Sequence, residues 1–349
     1  MSGGIAQLVA IGQQDAHIVG NPEISFFRST FKRHMNFSQS VERQVIQGNV
    51  TANGMSSVRI ERKGDLLSYM YLQPVNSAGT EADSSITDWT TVIDKVELLI
   101  GGQVIDTQDS TFTSLIAPKV LAQNLSKSRL GGLYEGGTAS GFYPLRFFFC
   151  ESWQNALPLV SLSYHDVELR ITWGGSAANY KWECYANFAY VDTQEREFFA
   201  SQPQQIIIHQ VQKAVASGQK VQELNLNHPV KCLVAGKDGD MAILAANNKL
   251  KLQINGTDVA DYKWAHPNFS TVTSYYHTSH ADVDTPKGLF LYPFCLDVSK
   301  AQPTGSLNFS RLDSARIVND TANSDDNIYA INYNILKLEN GMGGLLYSN

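Results

Sequence analysis

The chain has 349 residues, 43% of them apolar and 10% aromatic, and a net charge of −6 at pH 7. That length and apolar content suffice for two folded domains and exclude a disordered chain. The acidic balance argues against a nucleic-acid coat, which needs a basic stripe to displace phosphate counterions.

Residues 1–24 read as an arm. The stretch 5–11 has the makings of one or two turns of apolar helix, too short to hold alone, and Gly20-Asn21-Pro22 breaks it. The opening MSGGIAQLVAIGQQ has no basic n-region, and nothing in the chain approaches ~18 consecutive apolar residues, so the expected location is the cytoplasm. ISFFRSTFKR (24–33) sets aromatics among basic residues and reads as an opening strand with solvated charges, in preference to a contact strip for an acidic partner or nucleic acid.

Strands are expected at 41–50, 57–60, 67–74 and 95–106, the second showing clean alternation with Val58 and Ile60 on one face. A polar loop spans 76–88. TFTSLIAPKVLAQNLSKS (111–128) is the best helical candidate of the first half, cut into two pieces by Pro118. A loop with five glycines in eleven residues covers 131–141. Aromatic, strand-like segments follow at 143–150, 159–173 and 180–191.

TQEREFFA (193–200) reads as a short helix capped by Thr193, and Pro203 closes it at an expected domain boundary. The second half repeats the pattern, with strands at 204–215, 218–226, 230–235, 250–254, 259–262, 288–294, 307–309 and 328–338. Strands every 8–15 residues with turn residues between them give an all-β class, used twice.

The duplication is visible in the letters. FCESWQNALPLVSL (149–162) and FCLDVSKAQPTGSL (294–307) share six of fourteen positions without a gap: Phe149/Phe294, Cys150/Cys295, Ala156/Ala301, Pro158/Pro303, Ser161/Ser306 and Leu162/Leu307. Upstream of each lies a hairpin, VELLIGGQVID (96–106) and LKLQINGTDVAD (250–261). Gly101-Gly102 and Asn255-Gly256 suit the positive φ of a two-residue turn.

No catalytic constellation is found. His277, His280, Asp282 and Asp284 have ligand chemistry but sit in a loop ending at Pro286, and Tyr164-His165-Asp166 would point to alternate faces of a strand. Cys150, Cys184, Cys232 and Cys295 have no metal-binding spacing and read as buried hydrophobes, two of them inside repeat strands. Asn36, Asn49, Asn124, Asn255, Asn268, Asn308 and Asn319 begin N-x-S/T triplets, none expected to carry a glycan of the usual kind. No cofactor or metal is expected.

Several blocks, taken together and in order, closely resemble the major capsid proteins of the nucleocytoplasmic large DNA viruses. They are GNPEISFFRSTFKRHMNFS (20–38), KVELLIGGQVID (95–106), FYPLRFFFC with ALPLVSLSYHDVELRI (142–150 and 156–171), ANFAYVDTQEREFFA (186–200), QPTGSLNFSRLDSARI (302–317) and NYNILKLENGMGGLLYSN (332–349). The resemblance implies a double jelly roll of two eight-stranded antiparallel sandwiches: an arm at 1–24, a first jelly roll at 25–203 with a linker helix at 193–200, and a second at 204–349. It implies a structural, non-enzymatic homotrimer whose six lobes give a pseudo-hexagonal capsomer for an icosahedral shell. The implied contacts are neighbouring capsomers and minor capsid and penton proteins, with an internal membrane nearby and no direct contact with nucleic acid. The implied place is the virion, assembled in host cytoplasm. Because the chain is short for that family, its outward loops (76–88, 131–141 and 277–286) must be modest. The alternatives are a minor capsid or capsid-like paralogue, or a carbohydrate-binding double β-sandwich stacking sugars on Trp89, Trp153, Trp182 or Trp264. A β-sandwich hydrolase is weaker still.

Overall fold

The computed structural model describes residues 3–10, 12–83, 85–130, 141–280 and 287–348. The chain separates into two compact units, Met1–Asn36 and Phe37–Asn349. In the smaller unit, Gly3–Val9 is helical and a 3-10 turn at Gln13–Asp15 leads into Ala16–Val19. Asp15 closes that turn by accepting the Gly12 N–H at 2.6 Å, and Asn21, at φ 56°, ends the helical run. The opening strand expected at 24–33 is not formed. This stretch is irregular with a turn at 26–28, and the first strand begins at Phe37.

The larger unit is built from strands β1 (Phe37–Gln44), β2 (Ile46–Gln47), β3 (Met55–Arg59), β4 (Leu66–Val75), β5 (Ile93–Ile100), β6 (Gln103–Asp109), β7 (Tyr143–Pro144), β8 (Leu157–Pro158), β9 (Val167–Trp173) and β10 (Lys181–Val191). The helix Thr193–Ser201 leads to β11 (Gln204–Ala214), β12 (Val221–Glu223), β13 (Pro229–Gly236), β14 (Lys249–Ile254), β15 (Thr257–Asp258), β16 (Lys263–Trp264), β17 (Leu289–Pro293), β18 (Leu307–Asn308), β19 (Ala315–Asn319), β20 (Ile328–Glu339) and β21 (Met342–Leu345).

The sheets run β1-β10-β4-β7 against β2-β3-β9-β5-β6, then β11-β20-β13-β17 against β12-β19-β14-β15. Apart from the short edge strand β2, reading each half from its own first strand gives the same order twice, and every pairing is antiparallel. This is the jelly-roll order, so the chain is a double jelly roll. Even irregularities repeat. The β10–β4 pair carries a bulge between Ala186 and Phe188, and the β13–β20 pair carries one between Val230 and Cys232. Both expected hairpins form, with φ of 58° and 82° at Gly101 and Gly102 and of 50° and 78° at Asn255 and Gly256.

Burial follows the pleat. In β9, Val167, Leu169, Ile171 and Trp173 point into the first core together with Leu67, Met70 and Leu72 of β4 and Cys184, Ala186 and Phe188 of β10. The second core places Val230, Leu233 and Ala235 against Leu250, Leu252 and Ile317. The sheet containing β13 differs from the others because it is buried on both faces. Cys232, Val234, Leu289, Leu291, Tyr329 and Ile331 turn outward into a third cluster. Hence PVKCLVAG is buried almost from end to end, Lys231 included, and is otherwise apolar where a half-solvated strand would alternate.

Several local expectations are corrected. After Tyr143–Pro144 the segment FFCE (Phe148–Glu151) is a helical turn, so Cys150 does not lie in a strand, and Cys295 lies in the bend after β17. Aromatic density at 142–150 mimicked β-propensity, but Phe148 and Phe149 are buried by tertiary packing. The segment expected as a strand at 259–262 is loop, the hairpin arm ending at Asp258. The ungapped repeat also slips in its second part. Leu157 and Pro158 pair with Leu67 and Leu66, whereas Leu307 and Asn308 pair with Val230 and Pro229. Leu157 is therefore the topological mate of Leu307, and the identities from Ala156/Ala301 onward are out of structural register.

Candidate assembly surfaces

Two sandwiches in one chain meet along a seam, and that seam is built from the connection after β6. The strand runs straight into a helical segment, a π-type turn at Phe112–Ile116 followed by Ala117–Val120. The expected helical pieces are therefore present. Pro118 sits in the first turn of the second piece, where a missing N–H costs nothing. Phe112, Ile116, Ala117 and Val120 are fully buried against the outward residues of β13, β17 and β20. Approach is close enough that a Cβ on Gly236 would lie 2.6 Å from Ile116 Cγ1, so a residue without a side chain is needed there.

Polar groups border this apolar contact. Tyr329 donates its hydroxyl to Asp109 Oδ2 at 2.7 Å, Lys213 Nζ reaches the same oxygen at 2.9 Å, and the Phe112 and Tyr329 rings lie 5.8 Å apart. Asp106 is buried between the sandwiches. Burial raises its carboxyl to about 7, opposed by the Val211 N–H at 2.9 Å, the Gln108 amide at 2.8 Å and the Thr107 N–H at 3.0 Å. The Gln210 amide donates to the Ile105 carbonyl. In the β11-β20-β13-β17 sheet the His209 ring centroid lies 5.1 Å from that of Tyr333, and Lys231 Nζ lies 5.8 Å from the centroid of the same tyrosine. Burial, and then the Lys231 charge, lowers His209 to about 3. None of these residues was singled out from the sequence. The available signal was the two-residue spacing of Asp106 and Gln108 in the hairpin strand QVIDTQD, which sets both polar side chains on one face.

Among the described residues, the equivalent face of the first sandwich has no such cover. Tyr71 pairs with Tyr185 on one side and Pro144 on the other, and the two tyrosine rings stack at 5.3 Å. Beside them opens a cavity of about 560 Å³ lined by Tyr69, Tyr71, Gln73, Phe142 and Pro144, with Arg146, Lys127 and Glu151 at one wall. Arg146 is itself buried and donates to Glu151 Oε1 at 3.2 Å and to the Lys127 carbonyl at 3.1 Å.

The linker helix spans Thr193–Ser201, capped by Asp192 rather than by Thr193: the Asp192 carboxylate accepts the Thr193 N–H at 2.8 Å. Arg196 clamps the buried Asp65 through Nε at 2.8 Å and Nη2 at 2.9 Å, and Asp65 also accepts the Val191 N–H. From the far end, the Phe199 carbonyl accepts Ser161 Oγ at 2.6 Å and Gln204 Nε2 at 3.1 Å, so one carbonyl joins the first sandwich to the first strand of the second.

His165 and Asp166 part company: His165 Nδ1 lies 3.2 Å from the Gly343 N–H, and Asp166 pairs with Arg59 and Arg62. His277 ends the helix Thr271–His277 and faces the Cys295 and Leu296 carbonyls at 3.0 and 3.1 Å. Asp282 and Asp284, like most of the loop at 131–141, lie outside the described residues. Among the described residues no cluster of His, Cys, Asp or Glu could hold a metal ion. Of the four tryptophans proposed to stack sugars, Trp89 and Trp182 are core residues, while Trp153 and Trp264 are exposed. Trp264 lies under Lys249 at 4.5 Å. In the smaller unit, Phe26, Phe27 and Phe31 are all at least 85% exposed.

Comparison with known proteins converges on one group. Residues 25–192 match the family of major capsid protein N-termini, and residues 235–344 match the family of large eukaryotic DNA virus major capsid proteins. The chain is 31% identical to the major capsid protein of Pyramimonas orientalis virus and 29% identical to that of Paramecium bursaria Chlorella virus 1, in each case over the full length of both chains. In three dimensions it resembles a chain of the PBCV-1 virus capsid with a TM-score of 0.74 at 25% identity, covering 93% of this chain and all of that one. The Faustovirus major capsid protein shares the fold at a TM-score of 0.62 and 11% identity, with 94% of each chain covered.

Proposed function

The chain belongs to the major capsid proteins of large eukaryotic DNA viruses, and from that premise we propose that it forms homotrimeric, pseudo-hexagonal capsomers that tile an icosahedral shell. The observation that carries this reading is the repeated strand order, β1-β10-β4-β7 and β11-β20-β13-β17, within one chain. Two similar lobes per chain become six around a threefold axis, and a six-lobed unit packs on a hexagonal lattice with no further specialisation. Function then resides in surfaces. No catalytic role is assigned, in keeping with relatives that are structural capsid proteins.

In this reading the first jelly roll occupies 25–203, the second 204–349, and the helix Thr193–Ser201 fixes one to the other. The arm at 1–24 contacts minor capsid or neighbouring proteins beneath the shell. Penton proteins complete the vertices, an internal membrane lies close by, and assembly takes place in the host cytoplasm. The exposed aromatics Phe26, Phe27 and Phe31, just after the arm and in the same unit Met1–Asn36, support a partner for that unit, since large apolar groups are seldom left fully in water without one.

Electron microscopy of the purified protein tests the proposal. Class averages should show threefold particles with six lobes, and concentrated samples should form hexagonal arrays. Two-lobed particles that never associate would reject it.

A further inference from the structure

Superposing the pairing registers of the two halves gives each residue on one outer face a mate on the other. Tyr71 is flanked by Tyr185 and Pro144, and Val234 by Tyr329 and Leu291. Counting along the same strands, Tyr69 matches Cys232, Gln73 matches Gly236, and Phe142 matches Leu289. Every one of these second-sandwich mates except Gly236 belongs to the cluster covered by Phe112–Val120, and Gly236 lies directly beneath Ile116. The first-sandwich residues instead line the cavity of about 560 Å³ or border it, and Tyr69 is 42% exposed. One face is covered from within the chain, and among the described residues its copy is open.

The cover has a copy too. Phe112–Val120 lies between the second strand of the Gly101-Gly102 hairpin and β7. Its topological mate lies between the second strand of the Asn255-Gly256 hairpin and β17, where the chain forms the helix Thr271–His277. That helix holds Tyr275 and Tyr276 at 79% and 71% exposure, their rings in edge contact at 4.9 Å, with Val272 40% exposed beside them. Among the described residues the chain thus presents an unused plug and an unused socket, each the repeat of a plug and socket already joined inside it.

We propose that the helix Thr271–His277 of a second copy seats Tyr275 and Tyr276 on the Tyr69–Tyr71–Tyr185 face and into its cavity. The contact between copies then repeats the contact within a copy. Each interface is head-to-tail, and an alternation of equivalent internal and external contacts closes after three chains and six lobes. Phenolic edges meet a cavity wall that supplies Arg146 and Glu151 as hydrogen-bonding groups, a pairing suited to tyrosine, which is apolar in body and polar at its tip. This inference rests on the trimeric reading above and names the surface that produces it.

The test combines mass with proximity. Tyr71→Cys and Tyr275→Cys in one chain, treated with a short bis-maleimide, should give a denaturant-resistant ladder ending at three chains, while neither single variant should. Tyr275→Asp with Tyr276→Asp should lose the trimer and leave a folded single chain, since both side chains are exposed before association. Should that variant fail to fold, the cross-linking result decides alone. A wild-type trimer that withstands the double aspartate change and gives no ladder would overturn this interface and leave the trimer standing. A wild-type protein that is a single chain would overturn both.

Discussion

Val211, at the edge of the second sandwich, donates its backbone N–H to Asp106 of the first at 2.9 Å, so a buried carboxyl of one lobe is held by the main chain of the other. Burial places that carboxyl at about 7, above the ordinary 3.8. Because the folded value lies above the unfolded one, the native state holds the proton more tightly. The contribution to stability is complete below about 4 and is lost as pH rises through 7. At ~1.4 kcal/mol per unit this amounts to roughly 4 kcal/mol. Asp106→Asn should therefore gain stability relative to wild type between pH 4 and pH 8, measured by urea denaturation. An unchanged difference across that range would contradict the assignment.

His209 acts in the opposite sense. Its folded value of about 3 lies below the ordinary 6.5, so its contribution is complete above about 6.5 and is lost as pH falls through 3. His209→Phe keeps a ring beside Tyr333 and removes the titration. Relative to wild type, it should become progressively more stable as pH drops from 7 to 4, in the same denaturation series.

The seam supplies a coupled pair. Ile116→Ala removes a fully buried side chain and should cost about 2–5 kcal/mol. Gly236→Ala drives a methyl into Ile116 and should also destabilise. Combined, they should cost less than the sum, because the cavity left by one receives the methyl of the other. Strict additivity would show that the two residues do not meet.

The two hairpin turns should respond unequally to the same change. Gly256→Ala meets open space and bears the positive-φ penalty alone, about 1 kcal/mol. Gly101→Ala bears that penalty and also places its Cβ within 2.4 Å of His165, displacing the contact of that histidine with Gly343. The loss for Gly101→Ala should be clearly the larger, and equal losses would contradict the packing of His165 beneath the turn.

How much of this was legible beforehand depends on what each feature requires. The hairpins were legible because Gly101-Gly102 and Asn255-Gly256 answer a purely local steric demand. The class was legible because strand spacing survives without coordinates, and the duplication because the two turn-bearing hairpins recur, although most of the repeated letters are out of structural register. The helical turn at Phe148–Glu151 was not, since FFCE has no local preference that separates a buried strand from a buried helix. The slip from Ala156/Ala301 onward was hidden because letter identity ignores register, and Leu157/Leu307 shares only a leucine. The face proposed for assembly was the least legible. Alternation in β4 says that Tyr69 and Tyr71 point away from Met70, but which outward faces are covered depends on Phe112–Val120, far off in sequence. The 24–33 segment misled because aromatics set among basic residues imitate an edge strand.

The mass of the native protein in solution tests the central claim most directly. Threefold association of two-lobed chains gives a discrete species at three times 38.5 kDa, stable to dilution and free of added ligand. A species that stays at 38.5 kDa at every concentration would contradict it.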